Sequence, residues 1–283
     1  MAITFYPTVS RGELGKYAQV ARALLPASSW AGEEVNRYGR VRLHIPQPKI
    51  PEMLLDRAAD CGGFVATRKW GGDYRYTPEQ YVEWLNGWHP SWAAMMDYCC
   101  EDQITSGIAD VVRRRQDSTT AMAHSLWQEY RTSPWVWVPT IQGWHVEEYR
   151  RHVAEMRPLI TEMHAHYGPG SAFRVGIGTL CARASAKMIR EVVTMVAGAL
   201  PGVPLHLWGV KLSVMQSGIH LPEQIVSVDS AAWNGMFATG RNLWKASGMT
   251  QREWCFKVAL PTYETKIATA LSQPKQMTLE DYA

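Results

Sequence analysis

Short runs rich in β-branched and aromatic residues alternate along the chain with longer stretches whose apolar positions recur every three or four residues. The short runs predict strands at residues 3–9, 41–45, a brief segment leading into Asp60, 92–98, 135–141, 173–178, 205–210 and 225–229. The longer stretches predict helices over residues 17–25, 78–84, 119–130, 146–166 and 184–200. Thr77, followed by Pro78 and then Gln80, reads as a helix start. A hydroxyl there accepts from the first free N–H groups, and proline's fixed φ suits the first turn.

About eight strands alternating with helices, without a break in composition, predict one α/β domain over residues 1–283 with a parallel sheet. At this length the expected closure is a single (β/α)8 TIM-type barrel with its active site at the carboxyl ends of the strands. A doubly wound open sheet is the alternative. There is no internal repeat and no inter-domain linker, and the polar segment 272–283 reads as a loose tail.

With 19% charged and 46% apolar residues, the chain is not of the disordered class. No apolar run approaches the roughly 18 residues of a membrane span. The first residues lack the basic and apolar regions of a signal peptide, so a cytoplasmic location is expected. The five cysteines, Cys61, Cys99, Cys100, Cys181 and Cys255, are then expected as thiols. A net charge of +3 does not by itself point to nucleic acid. The local clusters Arg113-Arg114-Arg115 and Arg68-Lys69-Trp70 suit a phosphate backbone, although each taken alone reads as a solvated helix face. The thirteen tryptophans are expected mostly in the core.

In a barrel, reactive groups gather where strands end. The predicted ends carry Asp60-Cys61-Gly62-Gly63-Phe64, Met96-Asp97, Ile141-Gln142-Gly143, Gly176-Ile177-Gly178, Trp208-Gly209-Val210 and Val228-Asp229-Ser230. Three strands thus bring a carboxylate to one edge, with an amide, several glycines and two aromatics. Singly, Asp229 reads as well as a helix cap and Asp60 as a turn cap. Together they have the chemistry of glycosidic bond cleavage, in which one carboxylate attacks the anomeric carbon and another handles the proton. A third carboxylate and an amide suit the donor and acceptor edge of a base, and glycines admit close backbone approach.

In this order the motifs resemble the tRNA-guanine transglycosylase superfamily, and most closely its DNA-acting branch, the deazapurine DNA modification transglycosylases (DpdA-like proteins) of phages and bacteria. The resemblance covers about residues 55 to 241. It implies a barrel enzyme that exchanges guanine in DNA for a 7-deazaguanine such as 7-cyano-7-deazaguanine. Asp229 then matches the nucleophile that attacks C1′, and Asp60 the general acid/base. Asp97 matches the group that binds the pyrimidine edge of the base, and Gln142 with the backbone around Gly178 and Gly209 completes the base pocket. Phe64 and Trp208 fall where the base is stacked. Arg68, Lys69, Arg113, Arg114, Arg115 and Arg241 are expected to hold the flanking phosphates of a flipped-out nucleotide.

The implied partners are DNA and a free 7-deazaguanine base. No membrane partner is implied, and a homodimer is compatible with the resemblance. The tRNA-acting relatives carry Cys-x-Cys-x-x-Cys and a downstream His for structural zinc, which nothing here matches, so no cofactor is expected. His164 and His166 point to different faces of a helix, and a zinc site from His124, Cys100 and Cys181 is not favoured. A Gly-x-Ser-x-Gly elbow is absent, which disfavours a serine hydrolase. The rival readings are a tRNA transglycosylase without its zinc site and a non-catalytic barrel that only binds nucleic acid.

Overall fold

Short, doubly buried strands form the centre of the computed structural model, which describes all residues except 1–2, 15–19, 36–40, 182, 184, 218–220 and 273–283. The strands are β1 (Thr4–Pro7), β2 (Arg22–Pro26), β3 (Gly32–Val35), β4 (Val41–His44), β5 (Asp56–Asp60), β6 (Trp92–Ala94), β7 (Val136–Val138), β8 (Thr140–Ile141), β9 (Val175–Ile177), β10 (Leu205–Leu207) and β11 (Ile225–Ser230). The helices are α1 (Gly63–Lys69), α2 (Pro78–Asn86), α3 (Asp102–Thr105), α4 (Ala109–Tyr130), α5 (Val146–Tyr167), α6 (Ala186–Ala199), α7 (Leu212–Gln216), α8 (Ala232–Thr239), α9 (Arg241–Ser247), α10 (Gln251–Trp254) and α11 (Leu260–Ser272). A π-helical segment, Cys255–Ala259, joins the last two.

The fold is mixed α/β. One parallel sheet has the order β2-β5-β6-β7 and the other β1-β11-β10-β9-β8, while β3 and β4 form a separate antiparallel hairpin. Two connections bring the parallel sheets together. Thr8, just past β1, bridges in parallel to Leu24 of β2. At the other edge only Pro139 separates β7 from β8. Side chains from five strands of both sheets, Tyr6, Leu24, Ala58, Trp92 and Val138, meet in one small buried cluster. The much larger second cluster holds β-strand residues and helical residues such as Val153, Met156, Val192 and Val196.

A polar network sits near the amino ends of the strands. Tyr6 Oη donates to Asp56 at 2.9 Å, Arg22 pairs with the same carboxylate at 2.6 Å, and Trp92 Nε1 donates to Tyr6 Oη at 3.1 Å. The Arg174 guanidinium lies 4.9 Å from the Trp92 ring centroid. Each polar member is paired, as burial requires.

Several expectations hold. Strands stand at seven of the eight expected places in the two parallel sheets, and α2 begins with the full reciprocal cap between Thr77 and Gln80. Others are corrected. The helix expected over 17–25 is wrong in its described part, because Arg22–Pro26 is strand β2. Ala23, Leu24 and Leu25 are all buried, and a short continuous apolar run buried on both faces gives no helical or strand period to read. Residues 41–45 form a strand, but one that pairs antiparallel in the hairpin outside the parallel sheets. The run 135–141 is interrupted at Pro139, which has no N–H for a ladder, and its two halves join different sheets. α4 starts ten residues earlier than its apolar spacing suggests, because its first turns are polar but strongly helix-forming. Residues 17–19, Ala184 and the tail 273–283 lie outside the described residues. Among the described residues no helix is long and apolar enough to cross a membrane.

Candidate active site

Asp229 lies near the end of β11 and is 7% exposed. Its Oδ1 accepts the Gly209 N–H at 2.7 Å and faces His206 Nε2 at 3.3 Å, and its Oδ2 accepts the Thr8 hydroxyl at 3.0 Å. The helix-cap alternative does not describe it: Ser230, not Asp229, accepts the Ala232 N–H at the start of α8. Gly209 offers its amide from a left-handed conformation, φ +64°, and a Cβ there would lie 2.8 Å from that of Cys181.

Asp60 ends β5, and its Oδ1 accepts the Gly62 N–H at 3.0 Å. This is the turn-capping bond, and Gly62 makes it possible by adopting φ +84°. Burial raises the Asp60 carboxyl to about 7, the Gly62 N–H opposes the rise, and the charges of Asp229 and Asp97 add to it. Near neutral pH, Asp60 therefore exists in both protonated and ionised forms, as a general acid/base requires.

Asp97 follows β6 by three residues and is 7% exposed. The Cys61 thiol donates to its Oδ1 at 3.2 Å and the Gln142 amide to its Oδ2. Tyr74 fixes its backbone, accepting the Asp97 N–H at 3.1 Å and donating to the Asp97 carbonyl at 2.8 Å. Burial raises the Asp97 carboxyl, and the bonds from Cys61, Gln142 and Tyr74 counter that rise.

Gln142 follows β8 and is held from several sides. Its N–H donates to His152 Nδ1 at 2.8 Å, and its carbonyl accepts from Gln116 Nε2 at 2.6 Å. Burial lowers His152 to about 4, so its ring is neutral and can accept. Thr179 sets the direction of the side-chain amide. Its hydroxyl accepts the Cys100 N–H at 2.9 Å, which leaves its hydrogen for Gln142 Oε1 and turns the NH2 group toward Asp97. Gly178 lies directly against this amide, and a Cβ there would overlap it. The Gly178 carbonyl accepts the Tyr149 hydroxyl at 2.7 Å.

Trp208 follows β10 directly, with its indole N–H donating to Thr140 Oγ1 at 3.2 Å. Phe64 stands 42% exposed in the first turn of α1, and the Arg68 guanidinium lies 5.8 Å from its ring centroid. Arg68 also donates to Gln103 Oε1 at 2.6 Å, which joins α1 to α3. Arg113, Arg114, Lys69 and Arg241 are exposed. Arg115 differs from its neighbours. Its guanidinium donates to the carbonyls of Cys99 and Gly72 and lies over Tyr98, bracing the segments that carry Asp97 and follow α1.

The structure therefore brings Asp60, Asp97, Asp229, Gln142, Gly178, Trp208 and Gly209 to the carboxyl ends of neighbouring strands. Sequence reasoning missed Thr8, Cys61, Tyr74, Thr179 and His206, which complete the site. Only His206 carried a signal, as a lone polar residue between two leucines in an apolar strand. Among the described residues no three His, Cys, Asp or Glu side chains gather as a metal site. His164 instead stacks on Phe173, and His166 packs on Trp127.

Two buried carboxyls and a half-buried one thus stand at the ends of parallel strands, the half-buried one raised to about 7 and an amide set beside another. The chain belongs to the DpdA family, described as DeoxyPurine in DNA protein A, whose family model matches residues 34–277. The match takes in every site residue named above except Thr8. Membership makes the protein a transglycosylase-type enzyme of DNA modification. No curated protein matches the chain.

Two expected outcomes follow from the electrostatics. The Asp60 carboxyl binds its proton more tightly in the folded chain than at its unfolded value of 3.8. Its favourable contribution is complete below that value and is lost as the pH rises through about 7. Asp60→Asn removes this loss, so its stability relative to wild type should rise by about 2–4 kcal/mol between pH 4 and pH 8. Urea unfolding of both proteins at the two pH values checks this. For the basic run, Arg113→Ala with Arg114→Ala should leave unfolding unchanged, whereas Arg115→Ala should destabilise by about 1–3 kcal/mol by removing its bonds to two carbonyls.

Proposed function

We propose that the protein exchanges guanine in DNA for a free 7-deazaguanine base through a covalent glycosyl-aspartate at Asp229. The observation that carries this reading is the contrast between two neighbouring carboxyl groups. Asp229 is surrounded by hydrogen-bond donors, whereas Asp60 has one backbone donor and titrates near 7. A carboxylate held by several donors suits a nucleophile, and a carboxyl raised to about 7 suits an acid/base, which supports this reading.

In the first half-reaction a carboxylate oxygen of Asp229 attacks C1′ of the target deoxyribose. The C1′–N9 bond breaks, its electron pair goes to the base, and protonated Asp60 supplies the proton with which guanine departs. The now ionised Asp60 takes the N9 proton from the incoming deazaguanine. The freed ring nitrogen attacks C1′, and Asp229 leaves as a carboxylate. Atoms and charge balance over the cycle, and no redox partner enters. This reading also takes the two sheets as one (β/α)8 barrel. The Thr8–Leu24 bridge, the link through Pro139 and the inner cluster drawn from five strands support that closure.

Asp97 is proposed to accept the ring N–H and amino group of guanine, and Gln142 to donate to its carbonyl. Trp208 and Phe64 would stack on the base, with the backbone at Gly178 and Gly209 lining the pocket. A duplex base reaches such a site only when flipped out. Exposed Arg68, Lys69, Arg113, Arg114 and Arg241 are proposed to neutralise the flanking phosphates, and Arg115 to hold the pocket wall behind them.

Three measurements test this. Asp229→Asn keeps the shape of the side chain but lacks the nucleophile. It should lower exchange about a thousandfold or more and form no denaturation-resistant protein–DNA adduct. Mass spectrometry of nucleosides after incubation with labelled 7-deazaguanines reads the exchange, and near-normal rates in this variant would refute the assignment. In the same assay 7-deazaadenine should be discriminated against by about 10⁴, because it leaves Asp97 and Gln142 mispaired. Equal incorporation of the two bases would overturn the pocket reading. Replacing Arg113 and Arg114 by Ala should reduce the slope of log affinity against log salt by roughly 1.8, since each phosphate contact contributes about 0.9. An unchanged slope would leave this run a solvated helix face.

A further inference from the structure

We propose that His206 is a positioning residue for Asp229, locked as the Nε2–H tautomer by a hydrogen-bond relay that starts at Arg174 and passes through Ser227. The proposal rests on the reading of Asp229 as the nucleophile.

Each step of the relay is set by what the groups can donate. A guanidinium has donors only, and Arg174 Nη1 donates to Ser227 Oγ at 2.8 Å. Ser227 Oγ accepts from Arg174 and keeps its single hydrogen available to His206 Nδ1, 2.8 Å away. The Asp229 carboxylate can only accept, so Nε2, 3.3 Å from its Oδ1, carries the ring hydrogen and donates to it. A neutral ring in that state has an unprotonated Nδ1, which accepts the Ser227 hydroxyl. Burial lowers the His206 pKa, and the Arg174 charge acts in the same direction, while Asp229 opposes both.

The ring has little freedom to turn. It is fully buried, with Trp208 at 4.3 Å, Trp92 at 5.2 Å and Tyr6 at 6.4 Å between centroids. Strand alternation accounts for its direction: Leu205 and Leu207 share one face of β10, and His206 and Trp208 share the other. The opposite tautomer would set a nitrogen lone pair against the Asp229 carboxylate, replacing an attraction by a repulsion.

The chemical effect concerns both halves of the exchange. Oδ1 receives two donors, from Gly209 and His206, and Oδ2 only the Thr8 hydroxyl. Oδ2 thereby keeps more lone-pair capacity for C1′, and Oδ1 becomes the carbonyl oxygen of the glycosyl ester. When the ester breaks, negative charge returns to the carboxylate, and a fixed donor on Oδ1 meets it without reorganisation. A fixed donor also favours the ionised form of the carboxylate that attacks.

The test uses the full chain with His206→Leu, His206→Gln and Ser227→Ala, a guanine-containing DNA, and single-turnover adduct formation followed over pH. His206→Leu should slow adduct formation about ten- to a hundredfold and move its acid limb to higher pH, with DNA affinity unchanged. His206→Gln restores an N–H toward Asp229 and should recover most of the rate and the wild-type limb. Ser227→Ala removes the donor to Nδ1 and should move the limb in the same direction by a smaller amount. Wild-type rates and limbs in both His206→Leu and Ser227→Ala overturn the proposal. If His206→Leu does not fold, Ser227→Ala, which loses one oxygen, decides alone. Nitrogen-15 NMR of labelled histidine reads the tautomer without any reaction: a protonated Nε2 supports the relay, and a protonated Nδ1 overturns it. A wild-type protein that forms no Asp229-dependent adduct overturns the nucleophile reading, and the NMR result still decides the relay.

Discussion

Three carboxyl groups gathered in one poorly solvated site repel one another, and none can remain charged without its own compensation. The structure supplies a different one to each. Asp229 receives the Gly209 N–H, the Thr8 hydroxyl and the His206 ring. Asp97 receives a thiol and an amide while a phenol fixes its backbone. Asp60 is held by the Gly62 N–H with a lesser contribution from the Cys61 thiol, so burial wins and its carboxyl is raised to about 7. Local backbone features follow from these requirements. The left-handed conformations at Gly62 and Gly209 exist where an amide must turn toward a carboxylate that the strand has delivered.

A second set of contacts works behind the first. Gln142 would be a flexible side chain on a loop were its backbone not held at the N–H by His152 and at the carbonyl by Gln116. Thr179, itself in a left-handed conformation at φ +56°, then decides which end of the amide faces Asp97. That choice has consequences for recognition. An amide presenting N–H beside a carboxylate matches a base edge with a carbonyl next to a ring N–H and an amino group. The reversed amide would set two acceptors side by side. On the proposed reading, discrimination between bases comes as much from Thr179 and Cys100 as from the groups that would touch the base.

What was legible in the sequence divides along the range of the interaction. Asp60, Asp97, Gln142, Gly178, Trp208 and Asp229 were visible because strand ends follow from local periodicity and because the motifs occur in order. Thr8 was not, since its bond to Asp229 spans 221 positions in the chain and no local pattern announces it. Cys61 and Tyr74 were hidden similarly, each within a motif or loop whose glycines and aromatics had other readings. Strand β2 was mistaken for a helix because three consecutive buried apolar residues have no period. The run 113–115 looked uniform in composition, yet helical geometry sends Arg115 inward to two carbonyls and leaves its two neighbours exposed. Charge can be counted in a sequence; the partner of each charge cannot.

The polar groups inside the sheets extend this logic from the amino to the carboxyl ends of the strands. Asp56, Tyr6 and Arg22 are joined at one end, Arg174 stacks beside Trp92 near them, and Ser227 and His206 continue toward Asp229. An interior of this kind could be filled by leucine and valine at no desolvation cost, and apolar replacement of buried polar sets is often neutral or stabilising. A polar column therefore has no advantage for stability alone. It does have one for direction, because hydrogen bonds between donors-only and acceptors-only ends admit one arrangement of protons, whereas apolar packing specifies none. Arg174 at one end can only donate, and the Asp229 carboxylate at the other can only accept. Every hydroxyl and ring nitrogen between them is thereby given one orientation, and the carboxylate that needs a fixed direction lies at the column's end.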